Sequence, residues 1–116
     1  MATTDVGELA AAARAALADG RVHDALACYA SAGRSARTQL PPHAPERIAL
    51  AAEHAQVVFD HRSDPRSALE IATAAYDEAV EGIDDAGEHP AAVRELALLR
   101  DRMTFWAFRM GSEGVN

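Results

Sequence analysis

The sequence predicts an all-α protein of five antiparallel helices stacked as helical hairpins. Three observations carry this reading. Apolar residues recur at alternating steps of three and four, the period of a helix face, and nowhere at steps of two. Pro45, Pro65 and Pro90 each open such a run, and the fixed φ of proline suits the first helical position. About a quarter of the 116 residues are alanine, the strongest helix former and small enough to let helices approach closely.

Helix 1 is expected over 6–18. Asp5 is placed to cap its N-terminus, with Glu8 three residues on as in a capping box. Gly20 supplies a left-handed stop. Helix 2 is expected over 22–39, ended by Pro41 and Pro42, which cannot continue it.

Helix 3 is expected over 45–62. Ile48, Ala51, Ala55, Val58 and Phe59 give one apolar side, and Leu50 and Val57 extend it. Glu46, Glu53, Gln56 and Asp60 are confined to a narrow polar strip. A helix apolar on most of its circumference sits centrally, so this strip must face solvent or a cavity.

Helix 4 is expected over 65–84, with Asp64 as its N-cap. Asp84, Asp85 and Gly87 fall in a solvated loop. Helix 5 is expected over 90–110, stopping at Gly111 before a frayed tail, SEGVN. Leu96, Leu99, Met103, Trp106 and Met110 form one apolar stripe on it. A second stripe, Leu98, Arg102, Phe105 and Arg109, mixes apolar and cationic residues and is a candidate binding face. With connections of two to six residues, neighbouring helices run antiparallel. No segment alternates with period two, so no strands are expected.

A weak internal repeat is present. Gly20, Ala25, Tyr29 and Ala32 have the spacing of a tetratricopeptide unit, a turn glycine followed by small, aromatic and small residues. Ala68 and Ala75 stand forty-three residues after Ala25 and Ala32, with Phe59 as a partial third match. The period exceeds the usual spacing of about 34, which implies longer helices.

Composition excludes several classes of function. The formal charge is −7, which disfavours nonspecific contact with phosphate-rich nucleic acid and with anionic membrane surfaces. No apolar run reaches the roughly 20 residues that span a bilayer. The start, MATTDVGE, is polar and acidic, unlike a secretory leader. One cysteine, Cys28, cannot form an internal disulfide. A reducing cytoplasm is the expected location, with Cys28 a buried, inert thiol. All eleven basic residues are arginine, a usage associated with high-GC bacterial genomes.

From Tyr29 to Trp106 the chain resembles the C-terminal half of a 14-3-3 protein. Pro42, Pro45, Arg47 and Leu50 match the opening of that family's seventh helix. Pro65, Ala68, Ala72, Ala75 and the run Asp77, Glu78, Ala79 match its eighth. Leu98, Leu99, Arg100, Asp101, Thr104 and Trp106 match its LLRDNxTxW motif, the most specific signal in the chain. The resemblance implies an amphipathic groove holding an extended partner peptide. The family's phosphate-binding arginines and tyrosine, and a supporting lysine, belong to its other half, as does its usual dimer interface. Glu53 and Arg102 stand where the family has two asparagines that fix the peptide backbone. In the family these positions approach each other from facing helices.

On that resemblance, Glu53 and Arg102 are expected to pair across a groove lined by Ala49, Ala52, Glu53, Gln56, Asp60, Leu98, Arg102, Phe105, Trp106 and Arg109. The expected function is that of an adaptor: nonenzymatic binding of a protein or peptide partner without the usual phosphate site. A glutamate in the groove repels phosphate. Val6, Leu9, Leu17 and Val22 cover part of the surface the absent half would cover, and homodimer formation is expected to cover the rest. The alternative is a small-molecule binder or small enzyme using Glu53, Asp60, His54 and Arg102.

No catalytic residue, cofactor or metal ligand set is indicated. His54 and His61, seven apart on helix 3, are too distant to chelate one ion. His23, His43 and His89 fall at helix starts or loops, where capping or exposure is expected. No HExxH, phosphate-cradling glycine loop, dinucleotide fingerprint or nucleophile elbow occurs. Asp77 and Glu78 read as surface or interhelical ion-pair residues.

Overall fold

The computed structural model describes residues 5–113. Five helices follow in order: α1 (Val6–Ala18), α2 (Val22–Gln39), α3 (Pro45–Arg62), α4 (Pro65–Glu81) and α5 (Pro90–Glu113), with a single 3-10 turn at Ala86–Glu88 before α5. No strand occurs among the described residues.

The helix starts follow the sequence. Asp5 caps α1 by accepting from the Gly7 amide at 3.1 Å. Asp64 caps α4 by accepting from the Ser67 amide at 3.0 Å, and also takes the Ser67 hydroxyl at 2.6 Å. The hydroxyl bond comes first among the causes that hold the Asp64 carboxyl below its ordinary value. Gly20 turns left-handed (φ 78°), and the Arg21 amide then closes back onto the Ala16 carbonyl at 2.9 Å.

Two helix ends differ from expectation. α4 stops at Glu81 rather than near residue 84. Gly82 ends it, Ile83 folds back onto the core, and Asp85 caps the 3-10 turn by accepting from Gly87 at 2.9 Å. α5 continues through Gly111 to Glu113, because one helical glycine costs only about 1 kcal/mol and does not compel a stop. The rest of the tail, from residue 114, lies outside the described residues. α3 ends at Ser63, whose φ of 50° is left-handed without being glycine.

The helices zigzag. Each packs on the next, and α3 also touches α5. The molecule measures 48 × 37 × 19 Å. Its thickness is about two helix diameters, with α1, α3 and α5 facing one way and α2 and α4 the other.

Two cores meet at α3. One joins α1 and α2 to α3 through Ala10, Ala13, Tyr29, Ala32, Ala36, Leu50 and Val57. The other joins α3, α4 and α5 through Ile48, Ala55, Ala68, Ala72, Leu99 and Trp106. Ala25, Ala32 and Ala68 of the internal repeat are fully buried, and Tyr29 packs with Ala32 in the first core. Cys28 is half-buried against the first core rather than enclosed in it.

Arg47 fixes the junction of three helices. It donates to the Leu40 carbonyl at the end of α2 (3.2 Å) and to Glu78 of α4 (2.6 Å). Glu78 is thus an interhelical ion-pair residue.

Candidate functional site

On the face formed by α1, α3 and α5 lies an open hollow of about 420 Å³. The polar strip of α3 runs along its floor, because the apolar sides of that helix are engaged by α2 and α4. α1 and α5 form the two walls.

Seven of the ten expected groove residues line this hollow: Ala49, Ala52, Glu53, Gln56, Asp60, Leu98 and Arg102. Phe105, Trp106 and Arg109 do not. Trp106 is 1 % exposed and belongs to the core behind the α5 wall. Its stripe partners Leu96 and Leu99 face inward with it, so its ring supports the wall from behind and does not border the hollow. Phe105 and Arg109 sit one to two turns further along α5. The Phe105 ring meets the Phe59 ring edge-on at 5.6 Å, and the Arg109 guanidinium lies over both, 5.5 Å from Phe59 and 5.9 Å from Phe105.

The ion pair at the hollow joins Glu53 to a different partner from the one expected. Glu53 does not bond Arg102. It accepts two hydrogen bonds from Arg14 of α1, at 2.7 Å from Nε and 2.9 Å from Nη2, and one from the Tyr29 hydroxyl. Arg102 instead donates to the Ala52 carbonyl at 3.3 Å. The reason is geometric. The bidentate fork of Arg14 matches the Glu53 carboxylate plane, and the Tyr29 hydroxyl occupies another of its lone pairs. Arg102 remains close enough for its charge to act on Glu53.

The electrostatics follow from this triad. Hydrogen bonding from Arg14 is the main reason the Glu53 carboxyl sits below its ordinary value; partial burial opposes it, and Tyr29 and the charges of Arg14 and Arg102 assist. The Arg14 guanidinium is held more firmly protonated, chiefly by its bond to Glu53. Burial, then the bond to Glu53, pushes the Tyr29 phenol far above the ordinary tyrosine value. An ionised, fully engaged Glu53 and a phenol that keeps its proton are poor acid–base groups at neutral pH.

The remaining polar groups are milder. Gln56 donates to Asp60 at 2.8 Å. Glu95 adds a third carboxylate to Glu53 and Asp60, against the two cations Arg14 and Arg102. His54 is absent from the hollow. It points to the opposite face, half-buried and stacked on the Tyr29 ring at 5.7 Å, with burial lowering its basicity. The cluster of Glu53, Asp60, His54 and Arg102 imagined for a small enzyme is therefore not assembled. His43 is not an exposed cap. It is half-buried, edge-on to His89 at 4.5 Å, and its Nδ1 is buried without a hydrogen-bond partner.

Sequence reasoning missed Arg14 and Tyr29 as site residues. The signal for Arg14 was its isolation as the only cation in α1. The repeat spacing marks Tyr29 only as a packing residue, a role it also fills in the first core.

No helix among the described residues is long and apolar enough to cross a membrane. The family model for 14-3-3 proteins matches residues 9–107. The similarity therefore begins within α1, upstream of Tyr29, and includes the helix that carries Arg14. The 14-3-3-like protein A of Vicia faba is 33 % identical over 93 residues, covering 78 % of this chain and 36 % of that protein. Protein BMH1 of Saccharomyces cerevisiae is 31 % identical over 91 residues, covering 77 % of this chain and 34 % of that protein. 14-3-3 protein 2 of Solanum lycopersicum is 31 % identical over 93 residues, covering 78 % of this chain and 37 % of that protein. The chain spans about a third of the length of these relatives.

Proposed function

This chain belongs to the 14-3-3 family, and from that premise we propose that it is a nonenzymatic adaptor holding an extended segment of a protein partner in the hollow of α1, α3 and α5. Recognition does not depend on phosphate. The observation that carries this is the engagement of Arg14. Two of its donors are committed to Glu53, and three carboxylates face two guanidinium groups in the hollow. A dianionic phosphate gains little in such a field. Arg102, with donors beyond the one given to Ala52, and Asp60 are the groups left to meet a peptide backbone and a cationic or amide side chain. Leu98 supplies the apolar contact.

The experiment is a peptide array probed with the purified chain, each sequence present with and without phosphoserine. The expected result is binding of a defined subset, no tighter when phosphorylated, and lost in Arg102→Ala. Consistent preference for the phosphorylated form, or an unchanged subset in Arg102→Ala, overturns the reading.

We also propose that the chain self-associates as a homodimer. Outside the hollow α5 exposes Val93, Phe105 and Phe108, the last at 70 %, large apolar side chains that favour burial against a partner. Sedimentation showing only monomer at high concentration contradicts this. A dimer dispersed by Phe108→Asp supports it.

A further inference from the structure

The opposite face carries a second recess. α2, α3 and α4 bound a cleft of about 380 Å³. Its walls are mainly short aliphatic side chains with Leu50 and Ile71, closed at the back by the Tyr29 and His54 rings. Arg34, Arg37 and Arg47 line it against one carboxylate, Glu78. In a chain of net charge −7, this is a local cationic field.

The three arginines are in different states. Arg47 is nearly buried and committed to Glu78 and the Leu40 carbonyl, so it is structural. Arg34 gives one donor to the Ser31 hydroxyl at 3.0 Å and keeps the others. Arg37 is exposed and forms no hydrogen bond or ion pair with another described residue. The space is genuine at the α2 wall: a Cβ built on Gly33 meets no heavy atom within 4 Å. His54 borders the cleft beside the arginines, with burial lowering the basicity of its imidazole.

We propose that this cleft binds a small amphipathic carboxylate, its apolar body against Leu50 and Ile71 and its carboxylate at Arg34 and Arg37. The size lies at the lower end of the roughly 300–1,000 Å³ typical of small-ligand sites, and an apolar lining with few charged groups is their usual composition. A planar guanidinium suits a planar carboxylate. A bare inorganic anion leaves the aliphatic walls unused. An acidic peptide needs a longer track than one cleft. The inference does not rest on the adaptor reading, which concerns the other face.

The test uses the full chain and 2-naphthoate, followed by calorimetry and by amide chemical shifts. Naphthalene-2-methanol serves as the neutral isostere. Inorganic phosphate and hexaglutamate serve as competitors. The expected result is saturable binding that shifts the amides of Gly33, Ala74 and Ala75, at least about tenfold weaker for the neutral isostere. Arg37→Ala and Gly33→Leu both abolish it. A Cβ at position 33 meets no heavy atom within 4 Å and leucine is a better helix former than glycine, so Gly33→Leu is expected to narrow the cleft and keep its fold, checked by circular dichroism. Four outcomes overturn the proposal: no saturable binding, equal affinity for the neutral isostere, undiminished binding in Gly33→Leu, or stronger binding of phosphate or hexaglutamate than of naphthoate.

Discussion

Arg14 and Glu53 are joined by two parallel hydrogen bonds, 2.7 and 2.9 Å long, that tie α1 to α3 across the floor of the hollow. The pair is open to solvent on the Arg14 side, with 58 % of that side chain exposed. Solvent screening limits its worth. A double-mutant cycle of Arg14→Ala and Glu53→Ala by urea unfolding is expected to give a coupling of about 0.5–1 kcal/mol. Additive single effects contradict a direct pair.

The acid side of the stability profile reports on Glu53. Its carboxyl is less readily protonated in the folded chain than the ordinary value of 4.5. The resulting stabilisation is present above about pH 4.5 and is lost as pH falls through the lower folded value. In Glu53→Gln the unfolding free energy therefore falls less steeply below pH 4.5 than in wild type. Asp64, lowered in the same direction, leaves a residual slope. Identical acid limbs in the two proteins contradict the triad.

Tyr29→Phe separates packing from hydrogen bonding. The ring is 1 % exposed and stays in place, while the bond to Glu53 is removed. A loss of about 1 kcal/mol is expected. Because the folded chain holds the Tyr29 proton well beyond the ordinary value of 10, the same substitution leaves the tyrosinate absorbance change of the native protein near pH 10 unaltered. A diminished change shows that the phenol ionises freely.

Trp106→Ala and Phe108→Ala, two residues apart on α5, separate core from surface. The first empties a fully buried site and is expected to cost about 3–5 kcal/mol. The second, at 70 % exposure, is expected to change monomer stability by no more than about 0.5 kcal/mol at low protein concentration. Comparable losses contradict the orientation of α5.

Ser63 ends α3 in a left-handed conformation that disfavours any side chain. Ser63→Gly is expected to stabilise by up to about 1 kcal/mol, read as a higher Tm. A lower Tm shows that the serine side chain contributes more than the strain it causes.

Legibility was uneven for physical reasons. Pro45, Pro65 and Pro90 each stand at the first helical position, because the missing amide and fixed φ act locally. Helix ends were harder. α4 stops at Gly82 with an ordinary negative φ of −85°, and Ile83 then packs on the core, a contact that the local sequence pattern does not mark. The strip of Glu53, Gln56 and Asp60 on α3 was readable, since periodicity alone separates it from the apolar sides. The partner of Glu53 was not. Arg14 lies thirty-nine residues away in an alanine run, and its importance appears only when α1 docks. Trp106 fitted an inward stripe and a groove motif equally well until packing chose the first.

A body two helices thick has little depth to insulate one side from the other. Tyr29 borders both recesses: its hydroxyl is fastened to Glu53 at the front, and its ring lies flat on His54 at the back. Of the residues lining the two recesses Tyr29 is the one they share, so the ring that borders the back is the one whose hydroxyl steadies the front carboxylate.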